Sequence, residues 1–211
     1  MLVVPNIYLL KKGVRGANIY VVEESDGLTI IDCGFEGSDE GIIEFIESLG
    51  SSLEDVKSII LTHGHPDHVG SLPELIDVTE AKVYIHEMDI QLLERFTGLK
   101  KDSVKNSVLL SGGEIIDLLG ETLVIHSPGH TDGSIVLYNS QRQILFTGDV
   151  LLINANGELS LPKKEYTKDM EKEKESVKKL ISFNFNVLLP GHGFPVIENA
   201  RSKFLRFIKD L

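Results

Sequence analysis

The sequence of 211 residues predicts an α/β fold in which β-sheets are sandwiched between helical layers. Two separate stretches of the chain contain short apolar runs bounded by Gly, Asn and Asp, a pattern typical of strands and turns. Each stretch then passes into segments whose apolar residues recur at helical spacing. No linker, repeat or low-complexity tract separates the two stretches, so we expect a single domain over residues 1–211.

Strands are expected where a short apolar run is bounded by turn-forming residues. The runs at 18–22 and 28–32 flank a Ser-Asp-Gly turn and predict a β-hairpin. The apolar residues 1–10 are also predicted as a strand. They differ from a signal peptide, because no basic region precedes them and Pro5 interrupts the apolar run. The remaining predicted strands are 58–62, 82–86, 114–118, 122–126, 134–138, 143–146 and 187–189.

Helices are expected where apolar residues recur every three to four positions. Ser38 precedes two acidic residues and such a pattern, which stops at Gly50, so a helix is predicted between them. The polar segments 100–113 and 154–164 are predicted as loops. The other predicted helices are 70–78, 88–96, 168–182 and 199–211.

Composition and charge favour some partners and disfavour others. The formal net charge of −11 argues against a nucleic-acid partner, because a phosphate backbone is bound through Lys and Arg. No apolar run approaches the length that spans a bilayer, so no membrane partner is expected. Cys33 is the only cysteine, which excludes an intrachain disulfide and favours the cytoplasm. A small-molecule substrate is therefore the expected partner, and the oligomeric state is left open.

The segment 62–68 reads Thr-His-Gly-His-Pro-Asp-His and follows an apolar strand. Imidazole and carboxylate ligands suit zinc, iron or manganese better than calcium or magnesium. The glycine permits a tight turn, so that the first two histidines can face one metal. The proline then redirects the chain, so that the aspartate and the third histidine can face a second one. A solvated polar turn is the alternative, but it does not explain why three histidines gather here. The candidate ligands are His63, His65, Asp67 and His68.

Three later candidate ligands also follow predicted strands. His130 follows Ser-Pro-Gly, Asp149 follows Phe-Thr-Gly, and His192 follows Leu-Pro-Gly. Each lies where a predicted strand passes into a loop with glycine nearby, and loops on a rigid scaffold are where binding sites are built. Each signal is weak alone, so the joint pattern carries the prediction.

The full pattern, His-x-His-x-Asp-His followed by His, Asp and His, resembles the metallo-β-lactamase superfamily over nearly the whole chain, from residues 31–34 to 190–192. The resemblance implies an αβ/βα four-layer sandwich with a site at one edge, and two divalent metal ions, with zinc favoured over iron and manganese. It also implies a supporting role for Asp32 behind the histidine loop. The implied ligands are His63, His65 and His130 for one metal, Asp67, His68 and His192 for the other, and Asp149 as the bridge.

The resemblance implies a hydrolase in which a hydroxide bridging the metals is the nucleophile and Asp67 orients it and accepts its proton. The most similar group is the small glyoxalase II-like (hydroxyacylglutathione hydrolase-like) group, which hydrolyses thioesters. Only 19 residues follow His192, so the helical extension that holds glutathione in classical members is not expected. The best-known β-lactamases have Cys in place of Asp149 and Arg in place of His68, so antibiotic hydrolysis is not predicted.

Three alternatives stay open. A persulfide dioxygenase would use one iron on His63, His130 and Asp149, a lactonase would use the same site as the thioesterase, and a metal-binding protein without activity is least favoured.

Further residues have a structural and a functional interpretation. Structural roles are favoured for His86 and His126, a small buried side chain for Cys33, and simple packing for Tyr166 over donation to an oxyanion.

Overall fold

The structure is a computed structural model that describes residues 1–100 and 106–211. The chain divides into two units, Met1–Leu110 and Ser111–Leu211. Each unit contains a β-sheet and helices, as the predicted α/β class requires. None of the helices in the described residues is long and apolar enough to cross a membrane.

The first unit is built on a seven-stranded sheet whose strands lie side by side in chain order. The strands are β1 (Leu2–Val4), β2 (Ile7–Leu9), β3 (Tyr20–Glu24), β4 (Gly27–Ile31), β5 (Val56–Ile60), β6 (Lys82–His86) and β7 (Ser107–Leu110). Pairing is antiparallel from β1 to β4 and parallel from β4 to β7. Parallel neighbours need long crossover connections, and the helices of this unit lie in those connections.

The helices of the first unit are α1 (Asp39–Ser48), α2 (Pro66–Val69), α3 (Leu72–Val78) and α4 (Ile90–Thr97), with 3-10 turns at Leu53–Asp55 and Glu87–Asp89. α1 lies where the pattern after Ser38 predicts it. The Ser38 hydroxyl does not cap this helix; Ser71 Oγ instead accepts the N–H groups of Ser38 and Asp39 at 2.8 and 3.1 Å. A side chain distant in sequence thus accepts the N–H groups at the start of the helix.

The second unit contains a five-stranded sheet in the order β14-β11-β10-β9-β8 and a separate two-stranded hairpin. The sheet strands are β8 (Ile115–Asp117), β9 (Glu121–His126), β10 (Ile135–Asn139), β11 (Ile144–Gly148) and β14 (Val187–Pro190), and the hairpin strands are β12 (Leu152–Ile153) and β13 (Leu159–Ser160). β11 and β14 are parallel neighbours, whereas the other pairs are antiparallel. The segments that follow β11 and β14 therefore leave the sheet at the same end.

The helices of the second unit are α5 (Met170–Lys179) and α6 (Ala200–Phe207), with 3-10 turns at Lys164–Tyr166, Leu180–Ser182 and Ile208–Asp210. Asp169 caps α5, since its side chain accepts the N–H groups of Glu171 and Lys172 at 3.2 and 3.1 Å. Most residues of α5 are charged, and half are exposed. Two of its polar positions, Glu173 and Ser176, are nevertheless buried.

The predicted strands and helices are mostly found, with shifts of up to four residues at their ends. The N-terminal strand is two strands, because the chain turns at Pro5 and at Asn6, whose φ is 70°. Part of the predicted loop 100–113 is wrong, since β7 forms the edge of the first sheet; residues 101–105 lie outside the described residues. The predicted loop 154–164 includes β13, which pairs with only two residues of β12.

Each unit has its own apolar core. In the first, Ile42 and Ile46 of α1 pack with inward-facing sheet residues such as Ile30 and Ile59. In the second, Phe204 of α6 and Phe185 are both buried, with ring centroids 5.5 Å apart at an interplanar angle of 62°. This edge-to-face contact adds to the burial of both rings.

Replacing Phe204 with Ala should destabilise the second unit strongly, because it removes a fully buried ring and leaves a cavity. We expect a loss of about 3–5 kcal/mol in the free energy of unfolding, measured by urea denaturation. Phe194→Ala is the matched control, since that ring is 70% exposed and its removal should change stability by less than about 0.5 kcal/mol. Equal losses in the two variants would contradict this account of the core.

Candidate metal centre

Four of the predicted ligands lie in the loop and short helix that follow β5. His63 Nε2 lies 3.1 Å from His65 Nδ1, and His68 Nε2 lies 3.8 Å from Asp67 Oδ2. His63 and His68 are buried, whereas His65 and Asp67 are half-buried. The first unit therefore presents two neighbouring pairs of metal-competent side chains.

Gly64 and Pro66 shape this loop for different reasons. A Cβ at Gly64 would lie 2.6 Å from Leu92 Cβ, so a side chain here would collide with α4. The glycine is thus required by close packing and not by a left-handed φ. Pro66 is the first residue of α2, a position where its missing N–H costs nothing.

The Asp32 carboxylate holds the histidine loop from behind. Asp32 Oδ1 accepts the Thr62 N–H, and Oδ2 accepts the Thr62 hydroxyl and His68 Nδ1, all at 2.8 Å. Because a carboxylate only accepts, His68 carries its proton on Nδ1 and directs the Nε2 lone pair away from Asp32. The supporting role that the family resemblance implies for Asp32 is confirmed.

A second buried carboxylate, which the sequence analysis missed, acts on the same loop. Asp89 is fully buried, and its Oδ2 accepts the Gly64 N–H at 2.8 Å. Nearby, His86 Nδ1 accepts the Met88 N–H at 3.2 Å, which confirms the predicted structural role of His86. The sequence signal for Asp89 is weak, because an acidic residue after a strand usually caps the following helix.

The second unit brings together the other three predicted ligands. Asp149 follows β11, and His192 follows β14, which lies parallel to β11 in the sheet. Asp149 Oδ2 lies 3.6 Å from His130 Nε2 and 3.4 Å from His192 Nε2. One carboxylate oxygen is therefore flanked by two imidazole nitrogens.

The loop that carries His130 contains a further buried carboxyl group. Glu173 Oε2 accepts the His130 N–H at 2.5 Å. Burial raises the pKa of Glu173 to about 8; the His130 N–H opposes this rise, and the charge of Asp149 adds to it. His126 Nε2 donates to the Asp132 carbonyl at 2.8 Å, so it braces the same loop, in line with its predicted structural role.

These donor sets fit a divalent metal. Zinc bonds of about 2.0–2.1 Å at a tetrahedral angle place two ligand atoms roughly 3.3–3.4 Å apart. The separations of 3.4 and 3.6 Å at Asp149 match this spacing and exceed that of a good hydrogen bond. Imidazole and carboxylate are ligands for zinc, iron and manganese alike, so the chemistry indicates a metal without naming it.

Two other singled-out residues differ in outcome. Cys33 is buried and burial raises the pKa of its thiol well above the ordinary value, as expected for a small core residue. Tyr166 does not pack as predicted: its side chain is 65% exposed, with the Lys163 ammonium 6.0 Å from the ring centroid.

The chain belongs to the metallo-β-lactamase superfamily, whose pattern matches residues 13–192. It is 39% identical over 147 residues to YobT of Bacillus subtilis (strain 168), an alignment that spans only 60% of that protein. It is 30% identical to the probable metallo-hydrolase YflN of the same organism, covering 90% of this chain and 88% of YflN. The superfamily is one of metal-binding hydrolases, which agrees with the donor sets above.

Two further likenesses are to a named hydrolase and to a solved structure. The chain is 31% identical to the hydroxyacylglutathione hydrolase GloC of Haemophilus influenzae, covering 81% of this chain and 82% of GloC. The crystal structure of a metallo-β-lactamase family protein from Thermus thermophilus matches 98% of this chain and 79% of its own, at 22% identity and a TM-score of 0.74. This structural match shows the fold, and the predicted fold class is confirmed.

Replacing Asp32 with Asn should weaken metal binding by about 10–100-fold, because the amide N–H₂ would face the Nδ1–H of His68 and disturb its tautomer. Asn also tolerates the left-handed backbone at this position, where φ is 61°. Elemental analysis after dialysis against a weak chelator measures the effect. Asp77→Asn, at an exposed position of α3, is the control, and equal metal contents in both variants would contradict the role of Asp32.

Proposed function

We propose that this chain is a binuclear metal-dependent hydrolase of thioesters or similar esters. The observation that carries the proposal is the position of Asp149, whose Oδ2 lies between the Nε2 atoms of His130 and His192. A carboxylate and two imidazoles that converge in this way would hold divalent cations, which would supply an acidified water.

Ligand number supports a centre of two metals. A four-coordinate zinc needs four ligands, or three and a water, and seven side chains with one of them shared would offer four to each of two metals. The proposed ligands are His63, His65 and His130 for one metal, Asp67, His68 and His192 for the second, and Asp149 for both.

Each part of the reaction then has a residue to perform it. When bound, the two cations would supply an acidified water and polarise the scissile carbonyl. Asp67 orients that water and accepts its proton at a carboxylate oxygen. The water oxygen bonds to the acyl carbon, the C–S bond breaks, and the sulfur leaves with the proton as a thiol.

The substrate class rests on chemistry and on likeness. The 31% identity to a hydroxyacylglutathione hydrolase supports a thioester, and thiolate is a better leaving group than an ordinary alkoxide. A small-molecule substrate in the cytoplasm agrees with the net charge of −11 and with a single, buried cysteine. Zinc is the proposed metal, because it is redox-inert and suits both imidazole and carboxylate.

The test combines elemental analysis of the purified chain with hydrolysis of S-lactoylglutathione and of a simple acyl-coenzyme A. We expect about two equivalents of metal and measurable thioester hydrolysis. Asp67→Ala should abolish hydrolysis, because it removes both a ligand and the proton acceptor. Glu74→Ala, at an exposed position of α3, is the control and should leave the rate unchanged.

Other outcomes would overturn the proposal in distinct ways. One equivalent of iron without hydrolysis, together with oxygen uptake in the presence of a persulfide, would identify a dioxygenase. Two metals with activity only on lactones would keep the centre and change the substrate class. Absence of bound metal after growth with zinc, iron and manganese would overturn the metal function altogether.

A further inference from the structure

The loop that carries His130 rests directly on the first turns of α5. The N–H groups of Lys168 and Asp169 donate to the carbonyls of His130 and Gly129 at 3.1 and 2.9 Å. Ser176 Oγ donates to the Pro128 carbonyl at 2.7 Å. The backbone on either side of the imidazole is therefore held by groups from α5 and the residues just before it.

Gly129 allows this close approach. Its φ is 146°, and a Cβ there would lie 2.3 Å from the backbone nitrogen of Glu173. Since that neighbour is backbone and cannot move aside, only glycine fits. The residue before the histidine thus lies in contact with the helix turn that contains Glu173.

Glu173 is the one buried acidic residue among the described residues of α5, and its side chain makes a single described hydrogen bond. Its exposed fraction is 0%, and its Oε2 accepts the His130 N–H at 2.5 Å. The other oxygen, Oε1, is buried and has no hydrogen-bond partner among the described residues. A buried carboxyl group costs free energy, so a carboxyl whose one described bond goes to the backbone of His130 has a specific task there.

We propose that Glu173 is a positioning residue that sets the backbone of His130 and thereby aims its imidazole at the metal. This inference rests on the proposed role of His130 as a metal ligand. Glu173 belongs to a Lys- and Glu-rich stretch whose sequence resembles a solvated helix face, and only its burial distinguishes it from its neighbours. The length of the side chain is decisive, because the acceptor oxygen must lie within hydrogen-bond distance of one N–H group.

Two variants distinguish the effect of the length of the Glu173 side chain from the effect of its charge. Glu173→Asp keeps the charge but shortens the side chain by one methylene, so its oxygen no longer reaches the His130 N–H. Glu173→Gln keeps the length and an acceptor oxygen but removes the charge. Glu175→Asp is the matched control, because Glu175 is exposed two residues further along the same helix.

The experiment titrates the metal-free full chain with Co²⁺, whose visible absorption reports ligand geometry. We expect Glu173→Asp to bind Co²⁺ about 10–100-fold more weakly with an altered spectrum. Glu173→Gln and the control should retain the wild-type spectrum and an affinity within about threefold. Circular dichroism of the metal-free variants checks that all of them are folded.

Three outcomes would contradict the inference. Wild-type affinity and spectrum in Glu173→Asp would overturn the positioning role while leaving the metal function intact. Retention in Glu173→Asp with loss in Glu173→Gln would show that charge, and not the hydrogen bond, supports the site. Absence of Co²⁺ binding by the wild-type chain would overturn the proposed metal function and this inference with it.

Discussion

The Asp32 carboxylate is the interaction on which the histidine loop depends. It receives three hydrogen bonds of 2.8 Å from Thr62 and His68, and it is itself held in a left-handed backbone conformation at the end of β4. Buried donors and a buried carboxylate satisfy one another here, which removes the cost that either would have alone. The same bonds fix the His68 tautomer. The contacts that hold the histidine loop in place therefore also determine which His68 nitrogen could bind a metal.

The second unit also holds its proposed ligands in place, but with different residues and strands. Two of its proposed ligands, Asp149 and His192, follow β11 and β14, which run in parallel, and the Asp149 carboxylate lies between two imidazoles. Behind the His130 loop lies the buried Glu173, as Asp32 and Asp89 lie behind the histidine loop of the first unit. In both units a buried acidic side chain holds backbone N–H groups next to a ligand. The proposed binuclear centre takes its precision from these supports.

A feature of this protein can be predicted from its sequence when it depends on residues that are close together in the chain. The seven proposed ligands can be predicted because their residue types are unusual after apolar strands, and the strands can be predicted because their apolar runs are local. Asp89 and Glu173 are not readable, since burial by distant segments is what distinguishes them from ordinary surface acids. The same holds for α1, where Ser71 and not Ser38 accepts the first N–H groups. The edge strand β7 was missed because it is four residues long and only Leu110 is buried in it.

The central claim is that the seven proposed ligands hold two metal ions. Anomalous scattering at the zinc absorption edge, measured on crystals of the zinc-loaded chain, tests it most directly. The account predicts two peaks about 3.5–4 Å apart, with Asp149 next to both. A single peak, or metals held by residues outside the proposed set, would contradict it.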